Sequence, residues 1–358
     1  MSKTIIPFGP QHPVLPEPLQ LKLSLEENVV KEAIPSIGYV HRGLEKIAEL
    51  KDFNQSVYIV ERVCGICSFM HSMAYVRGIE DIMNVTIPER AEYIRVIFAE
   101  LSRVQSHLLW LGLLADAFGF ESLFLEAWKY REQVMDILEM TTGNRVIISA
   151  NKVGGVTKDL TEDHLKFIIE TIDRLDKNLK RIEDVFLNSY TVKQRLAGVG
   201  ILSKEDAAAY GAVGPMAKAS GIALDIRTTG YSAYKYLNFE PITDNAGDSY
   251  ARCVVRLREV YQSFDLIRQA ISKLPSGEIS VAVKGMPKGE TISRLEQPRG
   301  EAIYYMKANG TKNLDRLKIR TPTFANIPAL TRILPGCSLP DVPVLILTID
   351  PCISCTER

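Results

Sequence analysis

The 358-residue sequence has no excess of either charge: 43 lysines and arginines are matched by 43 aspartates and glutamates. Without a net field nothing draws the chain to nucleic acid or to an anionic membrane surface, and no nucleic-acid partner is expected. Long apolar runs are missing as well. The most apolar stretch, LLWLGLLADAFGF from Leu108 to Phe120, is broken by Asp116 and is too short to span a bilayer. MSKTIIPFGPQHP carries no cleavable apolar region, so a cytoplasmic chain is expected, with peripheral attachment to a membrane left open. Short repeats and low-complexity stretches do not occur. Cysteine is scarce, with six residues, which argues against a disulfide framework in a cytosolic chain of this size.

What is present is the composition of an ordinary globular protein, 46% apolar and 24% charged, long enough to bury a substantial core. Residues 1–40 are rich in proline and in alternating apolar positions such as LQLKLSL, which predict short strands and turns. From Phe53 the pattern turns helical, with Cys64 and Cys67 near a helix start. Pro88 opens a helix through Ala117 that carries Ile94, Ile97, Leu101, Val104, Leu108 and Leu111 on one face, and a second helix covers Glu121 to Met140. Two further stripes, Leu165 to Phe186 and Leu257 to Leu274, step by three and four and predict long helices of a packed bundle. VGPMAKASGIALDIRTTG between them reads as an irregular loop region. After Pro275 β-like runs return in EISVAVKG and EAIYYMKANG and end in VPVLILTI, an apolar strand candidate leading to the end of the sequence. The expected fold is mainly α (α+β), one unit over 1–358: a β-rich part to residue 52, a long-helix bundle over 53–275, and a β-rich part over 276–358.

Four of the six cysteines form two pairs, Cys64/Cys67 in ERVCGICSFMH and Cys352/Cys355 in DPCISCTER. Cys253 lies beside an apolar helical stripe and reads as a buried small hydrophobe, and Cys337 stands alone. One Cys-x-x-Cys chelates a single ion with two ligands; two together supply four thiolates, a set suited to a soft or borderline metal. Structural zinc, an iron–sulfur cluster, a catalytic thiolate-bound metal and a dithiol redox pair all use such motifs. Zinc ribbons keep their pairs about 15–20 residues apart, whereas nearly the whole chain lies between these two.

The surroundings of the pairs narrow the choice. Arg62-Val-Cys64-Gly65-Ile-Cys67-Ser-Phe-Met-His71 and Asp350-Pro351-Cys352-Ile-Ser-Cys355 together resemble the large, catalytic subunit of NiFe hydrogenases. GPQHPVLPEP, VHRGLEK, GGVTKDL, ASGIALDIRTTGY, QPRGEAIYYMKANG and TPTFANIPAL extend the resemblance over most of the chain. Within the family it looks like the energy-converting, membrane-bound branch (the Ech and carbon-monoxide-induced types), which is related to the quinone-site subunit of respiratory complex I. The complex I relative has lost the metal-binding cysteines; this sequence keeps all four.

The resemblance implies a nickel–iron centre whose iron carries cyanide and carbon monoxide, with Cys64 and Cys352 as terminal nickel ligands and Cys67 and Cys355 bridging to iron. Such diatomic ligands require maturation proteins. Splitting hydrogen heterolytically needs an acceptor for the electron pair and a base for the proton. Arg299 of QPRGE, after Pro298, matches the arginine held over the open metal position, and Glu17 of LPEP matches the carboxylate that takes the proton from nickel-bound Cys352. His71 is expected as a donor to a bridging sulfur, with Pro322 and Thr323 near the diatomic ligands. His41 and Arg42 fall where the complex I relative builds its quinone site, and here are expected to shape an interface. His12, His107 and His164 receive no functional role. Many relatives carry a histidine where Arg358 stands, binding a third metal (magnesium or iron) with the glutamate that Glu45 matches. A guanidinium cannot ligate a cation, which puts that third metal in doubt and predicts an Arg358–Glu45 ion pair in its stead. No cysteines remain for iron–sulfur clusters. The resemblance therefore implies a small subunit with a 4Fe–4S cluster, further iron–sulfur subunits linked to ferredoxin, and integral membrane subunits, with this chain peripheral on the cytoplasmic face.

Overall fold

Period two in QLKLSLE sends Leu21, Leu23 and Leu25 to one buried side. The computed structural model, which describes residues 3–358, pairs this strand β2 (Gln20–Glu26) with β1 (Lys3–Phe8) and β3 (Val29–Ser36) in an antiparallel sheet. Two short helices, α1 (Leu44–Glu49) and α2 (Ser56–Glu61), lead to α3 (Ser68–Met83), with Cys67 as its N-cap residue. The bundle follows in α4 (Glu89–Ala117) and α5 (Glu121–Thr142). A minimal hairpin, β4 (Asn151–Lys152) with β5 (Gly155–Val156), then precedes α6 (Glu162–Asn188) and α7 (Tyr190–Leu196).

α6 keeps the predicted stripe: Ile168, Ile172, Leu175, Leu179, Ile182 and Phe186 are all buried. Its start is fixed by a capping box in which Thr161 accepts from the His164 N–H and His164 reaches back to the Thr161 N–H. α4 differs from expectation. It is buried around nearly its whole circumference, because α5 and the later helices Ser249–Ser272 and Val342–Thr348 pack on different sides of it. The apolar face read from the sequence is one side of an interior helix.

The irregular region expected before the last long helix contains short pieces, α8 (Lys204–Ala209) and α9 (Pro215–Lys218), and two single 3₁₀ turns. α10 (Ser249–Ser272) begins at Asp248, whose carboxylate accepts from the Ala251 N–H. EISVAVKG stays mostly unpaired, with only Ser280 bridging to Gly155. The second sheet is β6 (Lys288–Gln297), β7 (Gly300–Asn309) and β8 (Leu314–Arg320), antiparallel throughout. From there the chain is helical: α11 (Pro322–Ile333), α12 (Val342–Thr348) and α13 (Ile353–Glu357).

VPVLILTI is therefore not a strand. A short run that is apolar at every position has no period to choose between strand and helix. Pro343 suits the first turn of a helix, and α12 is enclosed by α4 and α10, with the Trp110 indole N–H donating to the Leu347 carbonyl. Among the described residues two large apolar clusters result, beside a small one of Ala219, Ala251 and Val255. One joins α3–α6, α10 and the inner faces of β6–β8; the other joins the first sheet to α8, α9, α11 and α12. α13 sits where they meet, since Cys352 and Cys355 belong to the first cluster and Ile353 to the second. Among the described residues no helix is long and apolar enough to cross a membrane.

Candidate metal centre

The first cysteine pair occupies the turn from α2 into α3. The backbone N–H groups of Ile66 and Cys67 point at the Cys64 Sγ, at 3.3 and 3.4 Å. Donors aimed at one sulfur favour its thiolate, and the start of the 16-residue α3 adds its positive pole. The second pair is delivered by a break after α12. Asp350 adopts a left-handed conformation, φ 55°, Pro351 follows, and Cys352 becomes the N-cap residue of α13. The two turns face each other inside the protein. Cys64 Sγ lies 3.3 Å from Cys352 Sγ, and Cys67 Sγ lies 3.6 Å from Cys355 Sγ. The sulfurs of Cys64, Cys67 and Cys355 all fall within 4.8 Å of one another. All four residues are buried.

Four sulfurs so close share their protons unequally. Hydrogen bonds from Cys352, then Cys355 and Cys67, hold the Cys64 thiol well below the usual range. Burial, together with the neighbouring sulfurs, pushes Cys355 well above it. One negative charge is accommodated and a second is resisted. A divalent cation removes that conflict by binding the deprotonated sulfurs, so the donor set fits a thiolate-bound metal. Two thiolates sharing an ion at about 2.3 Å in a tetrahedron lie roughly 3.8 Å apart, close to the spacings seen. This fit holds for any soft or borderline ion.

His71, one turn into α3, brings its Nε2 to 3.3 Å from Cys355 Sγ, and its Nδ1 meets the Tyr304 hydroxyl at 2.5 Å. Burial lowers its pKa to about 4, so the ring is neutral and carries one N–H. The consistent arrangement has the Tyr304 O–H donating to Nδ1 and Nε2–H donating to the sulfur. Tyr304, from β7, was not anticipated. Alternation along a strand shows that it faces inward, but not that it meets His71.

Arg299 stands in the tight turn between β6 and β7, after Pro298, and is buried. Its Nε donates to the Asp350 carbonyl (2.9 Å) and its Nη2 to the Asp350 carboxylate (2.8 Å). Burial opposes its charge, but Asp350, Cys352 and Cys64 outweigh that and keep the guanidinium protonated. Nη1 has no hydrogen-bond partner among the described residues, nor has Asp350 Oδ2. Two orphaned polar atoms beside buried sulfurs are a costly arrangement unless another group meets them.

Glu17 comes to the second pair from the loop before β2. Its carboxylate accepts from the Ser354 N–H (2.7 Å) and hydroxyl (2.9 Å), and Oε1 lies 3.8 Å from Cys352 Sγ. Burial raises its pKa, against the opposing pull of Ser354. Pro322 opens α11, which puts Thr323 in the first turn with its Oγ1 accepting from the Cys352 N–H at 3.1 Å. The ion pair expected at the far end is present, with Arg358 Nε 2.8 Å from Glu45 Oε1. His41 meets the Glu357 carbonyl, and the other three histidines are engaged elsewhere. His12 stacks on Phe8, His107 bonds Glu259 at 2.8 Å, and His164 caps α6. Cys253 is fully buried in α10, and Cys337 is half-buried before α12.

Comparison with known proteins matches two family descriptions to different parts of the chain. Residues 42–116, including the first cysteine pair, match "Nickel-dependent hydrogenase". Residues 117–286 and 282–358 match "Respiratory-chain NADH dehydrogenase, 49 Kd subunit". The carbon monoxide-induced hydrogenase of Rhodospirillum rubrum is 39% identical over 361 residues, covering 100% of both chains. The chain belongs to this family. The membrane-bound hydrogenase subunit alpha of Pyrococcus furiosus is 40% identical over 373 residues, covering 99% of this chain and 87% of its own. An NADH-quinone oxidoreductase subunit of Chloroherpeton thalassium is 35% identical over 376 residues, covering 97% of this chain and 86% of its own. The family thus joins nickel-dependent hydrogenases to respiratory subunits, both oxidoreductases, on the mainly helical fold with small antiparallel sheets described above.

Proposed function

We propose that the chain is the catalytic subunit of a membrane-bound, energy-converting nickel–iron hydrogenase that interconverts dihydrogen with protons and electrons. The observation that carries this reading is the convergence of Cys64, Cys67, Cys352 and Cys355, from opposite ends of the sequence, on one buried spot. These four would hold a nickel–iron centre whose iron carries cyanide and carbon monoxide. When bound, such a centre supplies the place where the H–H bond is cleaved or formed.

The chain's own residues position charge and move protons around it. Arg299, anchored on two sides by Asp350, presents a fixed positive charge that cannot be lost at neutral pH. Glu17, with a raised pKa and an oxygen 3.8 Å from Cys352 Sγ, is placed to take a proton from that sulfur. His71, oriented by Tyr304, donates to Cys355 and moderates its basicity. Thr323 fixes the Cys352 backbone at the mouth of α13.

Electrons leave through other polypeptides, since Cys253 belongs to one apolar cluster, Cys337 packs against the other, and among the described residues neither joins a metal-binding set. The partners are a small subunit with a 4Fe–4S cluster, ferredoxin-linked iron–sulfur subunits and integral membrane subunits. They hold this chain peripherally on the cytoplasmic face of the membrane. The test is isotope exchange in the purified complex: deuterium gas in ordinary water should yield HD. A complex that reduces quinone, contains no nickel and forms no HD would assign the chain to the respiratory branch, which the match over 117–286 and 282–358 also supports.

A further inference from the structure

We propose that the loop from Ile37 to Arg42 is a latch that closes the C-terminal cysteine segment onto the first cysteine pair, with Arg42 as the positioning residue. Arg42 takes part in neither the sulfur cluster nor the proton path. Its guanidinium donates to three backbone carbonyls. Nη1 reaches Arg62 O at 2.8 Å, and Nη2 reaches Val63 O at 2.9 Å and Ser354 O at 3.2 Å. The first two lie directly before Cys64 and the third directly before Cys355. One planar fork therefore spans both cysteine motifs, and its fixed N–H directions are satisfied only when both backbones are in place.

The same loop grips the far end of α13. The Glu357 carboxylate accepts from the Gly38 N–H through Oε1 and from the Val40 N–H through Oε2, and the His41 ring meets the Glu357 carbonyl. Gly38 has φ 123° and Gly43 φ 66°, so the loop is shaped by residues that turn without strain where others would not. Glu45, just beyond it, pairs with Arg358. Most of these contacts read backbone atoms. On α13 they take the backbone carbonyls of Ser354 and Glu357 together with the Glu357 carboxylate.

α13 also lies where the two large apolar clusters meet, next to α12, which contributes to both. Without the latch, Cys352 and Cys355 would depend for their place on Glu17 and on Thr321 and Thr323 at the start of α11. Arg42 is exposed to solvent, so the latch is held from the surface. This role is independent of which metal the sulfurs hold, and its test is separate from any hydrogenase assay.

The experiment is native-state amide hydrogen exchange, read by mass spectrometry, on the full chain produced without nickel. Arg42→Ala should speed exchange across residues 352–358 about tenfold or more, in line with the loss of at least one charge-assisted hydrogen bond, while α10 exchanges as in the wild type. Arg42→Lys, which keeps the charge but reaches one carbonyl at a time, should fall between. Glu357→Gln, which keeps one oxygen acceptor, should open the same segment and no other. Unchanged exchange over 352–358 in these variants, or an equal acceleration in α10, would overturn the proposal. If Arg42→Ala does not fold, the Arg42→Lys and Glu357→Gln comparison decides alone.

Discussion

At the scale of single residues, the motif positions separate by what they touch. Glu17 and Arg299 both lie beside the sulfurs, one a carboxyl with a raised pKa and the other a cation fixed by Asp350. Glu17→Gln keeps an oxygen for Ser354 but carries no titratable proton. It should leave metal content intact while lowering net hydrogen evolution by roughly 10²–10⁴-fold, and ortho–para conversion of hydrogen should persist. Near-normal evolution in that variant would remove Glu17 from the proton path. Cys64→Ser should abolish activity, because a hydroxyl is a harder and far less acidic ligand. Cys253→Ala should keep activity and lose only a small packing contribution, on the order of 1 kcal/mol; full loss there would upset the ligand assignment. The residues that could be read from the sequence are those whose spacing is itself chemistry: the two Cys-x-x-Cys pairs, His71 four positions on, and the Arg358 substitution that predicted its ion pair. Tyr304, Ser354 and the three-way contact of Arg42 were not legible. Each depends on which distant backbone a side chain meets, and spacing along the chain carries no record of that.

At the scale of elements, the turn that carries Arg299 is set by close backbone approach. Gly214 has φ +59°, and a Cβ on it would lie 2.4 Å from the Arg299 carbonyl oxygen. Arg103 grips the same turn from inside, donating to the carbonyls of Glu296 and Gln297. Gly214→Ala should therefore destabilise the chain by about 1–3 kcal/mol through strain at a left-handed residue and displace Arg299. Thermal unfolding would show the loss, and hydrogen cleavage should fall more than the stability change alone explains. A wild-type melting temperature with full activity would contradict this account of the turn. Long elements were legible because their period repeats: α6 and α10 keep the stripes read from the sequence. α12 was misread because VPVLILTI is apolar throughout. Its helical state follows from Pro343 and from enclosure by α4 and α10, which are tertiary facts.

At the scale of the whole molecule, the bundle is joined to the second sheet by buried charge. Lys218 of α9 pairs with Asp225 at 2.7 Å, Glu259 of α10 at 2.8 Å and Glu296 of β6 at 3.1 Å, all without solvent exposure. Burial opposes its charge, but the three carboxylates outweigh it and hold the ammonium protonated. Lys218→Met would leave those carboxylates without their shared cation and should cost about 3–5 kcal/mol, read as a lower urea midpoint with an unchanged slope. A midpoint equal to wild type would show that the cluster does not tie the elements together. Glu296 of this junction precedes the Arg299 turn beside the sulfurs, which under the proposed function hold nickel and iron. Metal analysis of the matured subunit, combined with its infrared spectrum, tests that claim most directly. The account predicts nickel and iron in equal amounts with absorption bands of bound cyanide and carbon monoxide; zinc alone, with no such bands, would contradict it.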